Sequence, residues 1–232
     1  MKPSFITLLA YSSFGLATAT QGAVLYSEEF DGNTNGYNVN STTAMVGDND
    51  WVDFSNRINS DSLTTASGGS ESVLAGTSAS NDPQVRSDFG FGIDKADVES
   101  FVLRIRIDKD NANGFDDTLV NGDFTVFWGS TSYVNPGATN IGDTNFNLGN
   151  PTTLVTQSNG WHLATWNIPV GGLTAGANPN LESARIDPTN LAAGNGDSWE
   201  IDYFTINGVP EPSSALLIAL GGLAMGIRRR RH

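Results

Sequence analysis

The residues best suited to chemistry stand in the run WEIDYFT, residues 199–205, where Glu200 and Asp202 are two positions apart. Retaining hydrolysis of a glycosidic bond needs two carboxyl groups about 5 Å apart, one as nucleophile and one as acid. The run closes on Thr205 with no second glutamate after Asp202. His162 is the sole histidine ahead of the C-terminal tail, and the chain has no cysteine. Thiol chemistry and disulfides are excluded on composition, and a lone histidine between Trp161 and Leu163 speaks against a nucleophile–histidine relay or a histidine-rich metal centre. No glycine-rich phosphate loop occurs, so the body reads as non-enzymatic.

Binding is better provided for. The five tryptophans are Trp51, Trp128, Trp161, Trp166 and Trp199, and an indole can stack on an apolar sugar face. Trp128 abuts a long loop and Trp166 shares a strand face with His162, which makes these two the candidate platforms. Arg104 and Arg106, alternate residues of one strand, would either hydrogen-bond a ligand or pair with surface carboxylates. The loop DKDNANGFDD, residues 108–117, departs from a calcium-binding loop, because its fifth position is Ala112 and its glycine stands seventh rather than sixth. It reads as a solvated turn.

The two ends differ from the middle. Lys2 precedes a mostly apolar stretch from Phe5 to Ala19 that closes on Ala17-Thr18-Ala19, the pattern of a signal peptide cleaved after Ala19. The last residues, Val209 to His232, hold Pro210, Glu211 and Pro212, an apolar run of 13 residues from Ala215 to Ile227, and Arg228, Arg229, Arg230 and Arg231. Even extended over the two preceding serines, a helix there would be about 22 Å long against roughly 30 Å of hydrocarbon. It is a short transmembrane helix that needs thinning of the bilayer or snorkelling arginines. The arginines would hold its end in the cytoplasm and leave everything before it outside.

These ends define three parts: signal peptide 1–19, a folded body 20–208 and a sorting and anchor segment 209–232. The body carries 7 basic and 24 acidic side chains, a net charge of −17 within a chain whose total is −13. Such a surface repels nucleic acid. Short stretches rich in Val, Ile, Phe and Trp alternate with Gly, Asn, Asp, Ser and Thr, and no middle segment keeps a helical period. The pattern predicts an all-β fold, an antiparallel β-sandwich of jelly-roll type, flanked by the signal helix and the short C-terminal helix. Strands are expected at 23–30, 51–58, 73–74, 85–91, 98–107, 123–128, 161–168, 181–186 and 198–206, with long loops at 59–81 and 129–150. Phe101, Leu103, Ile105 and Ile107 should face the core opposite Arg104 and Arg106. In the last strand Glu200, Asp202, Phe204 and Ile206 should share the core-facing side, where a carboxylate must be paired or metal-bound.

The tail closely resembles the PEP-CTERM sorting signal of Gram-negative bacteria, in which V-P-E-P, a membrane segment and an arginine cluster address an exported protein to an exosortase. That resemblance implies an exosortase-type partner, transient anchoring in the membrane, and a final place at the cell surface or in the extracellular matrix. More loosely, the pieces FVLRIRIDKD, FTVFWG, GWHLATWNIP, ARIDP and WEIDYFTI between Phe101 and Ile206, with EEFDGN (Glu28 to Asn33), are similar to jelly-roll carbohydrate-binding and galactose-binding modules. This second resemblance implies extracellular polysaccharide as a partner. It also implies a structural Ca2+ tying first strand to last through Glu29, Asp31 and Asp202. WEIDYFT resembles the catalytic strand of laminarinase-like glycoside hydrolases apart from Thr205. A carbohydrate-binding surface protein, a purely structural matrix protein and a hydrolase are the three functions left open.

Overall fold

The computed structural model describes residues 22–30, 37–38, 51–53, 58–78, 83–87, 90–109, 114–115, 118–130, 146–190 and 196–209. The expected signal peptide, Asp31, Pro210 to Pro212 and the four arginines lie outside them. Among the described residues fifteen strands form: β1 (Val24–Glu28), β2 (Tyr37–Asn38), β3 (Trp51–Asp53), β4 (Ile58–Thr65), β5 (Ser72–Ser78), β6 (Val85–Ser87), β7 (Ile93–Asp94), β8 (Val98–Asp108), β9 (Thr125–Gly129), β10 (Phe146–Asn147), β11 (Thr153–Thr156), β12 (His162–Asn167), β13 (Asn180–Leu181), β14 (Ser183–Asp187) and β15 (Ser198–Gly208). The helical turns among the described residues are short 3-10 turns at Lys95–Asp97 and Ser158–Gly160. No described helix is long and apolar enough to cross a membrane.

Seven strands form one sheet in the order β11-β12-β8-β15-β5-β4, with β1 also paired to β15, and six form a second in the order β10-β9-β14-β6-β3-β2. Pairing is antiparallel except between β2 and β3. The alternation in β8 works as the sequence predicts: Phe101, Leu103, Ile105 and Ile107 are completely buried. They belong to one core with Val126, Trp128, Ala184 and Ile186 of the second sheet, so apolar faces of the two sheets meet in a sandwich. In β9, Val126 and Trp128 are buried between half-buried Thr125 and Phe127, again as the period requires.

Two elements differ from the expectation. Residues 59–81 are not a loop with one short strand, because β4 and β5 pair there as a hairpin; their Ser, Thr and Asn side chains conceal the strands. Val73 and Leu74 are both fully buried, and Leu74 joins the main core while Val73 packs in a second cluster with Ala66 and Trp161. The second strand is described over Trp51–Asp53, and residues 54–57 lie outside the described residues. In β15 the register against β8 shifts between Ile201 and Tyr203, a bulge that makes Asp202 the extra residue and exchanges the faces. Trp199 and Ile201 before it, and Phe204 and Ile206 after it, are all buried in the core. Asp202 therefore does not face the core, contrary to the strict alternation.

Candidate functional site

Of the residues singled out by the sequence, the outer face of the seven-stranded sheet carries Arg104, Arg106, Glu200 and Asp202. Arg104 and Arg106 project from it on β8, and their guanidinium carbons lie 4.4 and 4.6 Å from the ring centre of Trp161. Arg106 also lies 4.6 Å from the Phe115 ring. Such cation–π contacts strengthen where water is excluded. Arg106 donates to Glu200 Oε2 from Nε at 2.8 Å and from Nη2 at 2.5 Å, and to the carbonyls of Asn159 and Ser67 at 3.0 and 2.7 Å. Glu200 Oε1 accepts from Ser67 N–H at 3.1 Å. The pair is 3% and 6% exposed at its side chains.

Glu200 is thus buried and accepts hydrogen bonds through both oxygens from groups of the protein itself. Arg104 donates to Asp202 at 2.5 Å and to Gln157 at 3.0 Å. Of the two readings of these arginines, the structure shows pairing with carboxylates. The loops carrying Ser67, Asn159 and Trp161 are fastened over the sheet by this cluster.

The tryptophan platforms need correcting. Trp128 and Trp166 are 4% and 2% exposed and belong to the core. Trp128 packs on Phe146 at 4.7 Å, while Trp166 meets Phe124 edge-on and donates from Nε1 to the Gly149 carbonyl at 2.9 Å. The other three tryptophans are buried as well. No indole is available for stacking.

Of the three expected metal ligands, two are described. Glu29 is exposed, Asp202 is held by Arg104, and Asp31 lies outside the described residues. The carboxylate built into the end of β1 is its neighbour Glu28, which accepts from Phe30 N–H at 2.9 Å and from the Tyr26 hydroxyl at 3.4 Å. Tyr26 in turn accepts from Trp51 Nε1 at 2.8 Å. Burial, with the Glu28 charge adding, pushes the Tyr26 phenol well above its ordinary range. Among the described residues no three acidic or histidine side chains gather in a way that would hold a metal ion.

His162 is fully enclosed. Its Nδ1–H donates to the Gly160 carbonyl at 2.9 Å, and Nε2 accepts from Leu119 N–H at 3.2 Å, an arrangement that requires the neutral ring. Burial lowers its pKa below the usual histidine value, and the Lys109 charge lowers it further against the opposing pull of Gly160 and Asp123. The ring fastens the loop around Leu119 to β12.

The last strand ends where the tail starts: Gly208 N–H donates to the Ala23 carbonyl at 2.7 Å and Val209 N–H to the Asp97 carbonyl at 2.9 Å. Residues 208–231 match the PEP-CTERM protein-sorting motif. The motif accounts for the tail and takes in only the final residue of β15. No match is found among curated proteins. Among solved structures, the chain is similar to a low-affinity xylan-binding module, CBM86, from Roseburia intestinalis, with 12% identity, 68% of this chain and 94% of that one covered, and a TM-score of 0.35. The K1 cleaved adhesin domain of Lys-gingipain from Porphyromonas gingivalis W83 follows at 10% identity, 79% and 98% coverage and a TM-score of 0.39. A family 6 carbohydrate-binding module from Clostridium cellulolyticum, in complex with xylose, gives 12%, 66% and 90%, and 0.31. Scores at this level transfer no ligand.

Proposed function

We propose that this chain is an exported, non-catalytic β-sandwich protein that its PEP-CTERM segment sends to the membrane for exosortase processing. It then stays at the cell surface or in the matrix of a Gram-negative bacterium, where a jelly-roll body engages extracellular polysaccharide. The observation that carries the reading is the sorting motif, which begins at Gly208, the residue where β15 ends. The folded body is thereby followed directly by Pro210, Glu211 and Pro212, with no intervening linker. The closed hydrogen-bonding of Glu200 speaks against the hydrolase alternative. Burial of all five tryptophans favours a second reading, a purely structural matrix protein of the same architecture. A structural Ca2+ near the end of β1, through Glu29 and Asp31, belongs to the first reading; Asp202 does not, since its carboxylate is bonded to Arg104.

Sorting is tested by replacing Arg228 to Arg231 with uncharged residues, then fractionating cells and reading the mature C-terminus by mass spectrometry. The parent should lose the tail while the variant keeps it or is misplaced. An intact tail in both, with the same distribution, would sink the proposal.

A further inference from the structure

We infer that the outer face of the seven-stranded sheet, at the end where the tail leaves, is a binding site for an uncharged oligosaccharide, centred on Asn167, Ser100 and Asn207; this rests on the carbohydrate-binding reading and gives it a location. Register creates the site. Ser100 of β8 stands opposite Asn167 of β12 and Asn207 of β15, so an amide, a hydroxyl and an amide form a row across three adjacent strands, each step about 4.8 Å.

The row lines an open cavity of about 460 Å3, shared with Gly22, Glu99 and Ile168, within the range of roughly 300–1,000 Å3 common for small-ligand sites. Asn207 Nδ2 donates to Ser100 Oγ at 3.1 Å. That bond orients both groups and leaves the Asn207 carbonyl oxygen and the Ser100 hydroxyl hydrogen for a ligand. Asn167 is exposed, with donors and an acceptor of its own. Gly22 keeps one wall close, because a Cβ placed there would lie 2.6 Å from Glu99 Oε2 and 2.1 Å from the Gly208 carbonyl oxygen.

One step along the strands a second row continues the surface: Thr165, Val102, Thr205 and Ser27 face one another in register. The Thr205 and Ser27 hydroxyls are 3.2 Å apart. This lining of hydroxyls and amides suits alternating ligand hydroxyls. Its apolar share, Val102, Ile168 and the exposed Val24 paired with Asn207, holds no aromatic ring, whereas the centre of a protein interface is apolar and aromatic. Glu99 and the body charge of −17 disfavour an anionic polymer. With no exposed indole to stack on, recognition runs through hydrogen bonds and the affinity is weak, with a Kd on the order of 1 mM.

The test uses the full-length chain in detergent, displayed in many copies on beads so that avidity reveals weak binding. Probes are cellohexaose, xylohexaose, maltohexaose and a hexameric β-1,3-glucan, with an oligogalacturonate as the anionic control. At least one neutral probe should bind, and Asn167→Ala and Asn207→Ala should each weaken it about tenfold at an unchanged melting temperature. Should Asn207→Ala fold poorly through loss of its bond to Ser100, Asn167→Ala decides alone. Full binding by Asn167→Ala would overturn this location while leaving a carbohydrate-binding body intact. Failure of every neutral probe would overturn both, and preference for the galacturonate would overturn the uncharged assignment.

Discussion

Arg106 and Glu200 face each other across β8 and β15, and two guanidinium nitrogens converge on a single oxygen of the carboxylate. Removing one member leaves the other charged, dry and unpaired, which typically costs about 3–5 kcal/mol. Arg106→Met should therefore lose stability of that order in urea denaturation. The paired change Arg106→Met with Glu200→Leu should recover most of the loss, since apolar replacements of both partners are often neutral or better. A single-variant loss under about 1 kcal/mol would show that water reaches the pair and that the loops above it open.

His162 supplies a pH dependence of definite sign. Its folded pKa lies below the ordinary histidine value because burial disfavours the charged ring. Near and below pH 6.5 the unfolded chain binds more protons at this residue than the folded chain does. The contribution is complete above about pH 6.5 and is lost as pH falls through the folded pKa. Protonation would also remove the Nε2 acceptor from Leu119 N–H. Melting temperature followed from pH 8 to 5 should fall for the parent more steeply than for His162→Gln, the difference opening below about pH 6.5. Parallel profiles would mean that carboxylates alone set the acid response.

Alternation made β8 and β9 readable, because each has one face in a shared core and period two then leaves little choice. The same rule misassigned half of β15. A bulge adds one residue without any change in composition, and only the partner register reveals Asp202 as that residue. The β4–β5 hairpin was hidden because its side chains are small and polar, though Val73 and Leu74 mark its buried centre on two faces. For tryptophan the sequence provides no test between a core ring and a surface platform, and Trp128 and Trp166 proved to be core. The row of Asn167, Ser100 and Asn207 could not be read from a single segment, since it joins three strands far apart in the chain.

Asp202 carries a prediction that separates ion pairing from metal binding. Bonded to Arg104 at 2.5 Å and partly exposed, it should stabilise the fold through that pair, with or without calcium. Asp202→Asn should lower stability by about 1 kcal/mol to the same extent in EDTA and in calcium. A calcium-dependent rise in the parent that the variant loses would instead assign Asp202 to a metal.

A close fit in the core joins Gly76 and Trp199, opposite each other on β5 and β15. A Cβ added at Gly76 would meet the indole at 2.4 Å (Cζ2) and 2.8 Å (Cη2), and Ile58 Cγ2 at 2.8 Å. Trp199 is completely enclosed. Gly76→Ala should cost about 1–3 kcal/mol by overpacking, even though alanine usually suits a strand better than glycine does. Trp199→Leu should also be destabilising by itself, through the volume that it empties. Combined, the two changes should cost clearly less than the sum of their separate effects, because the added methyl occupies part of the vacated space. Denaturant melts of the parent, both single variants and the double variant close the cycle. Additivity within about 0.5 kcal/mol would show that ring and glycine are not in contact, and that the register of β5 against β15 differs from the one described.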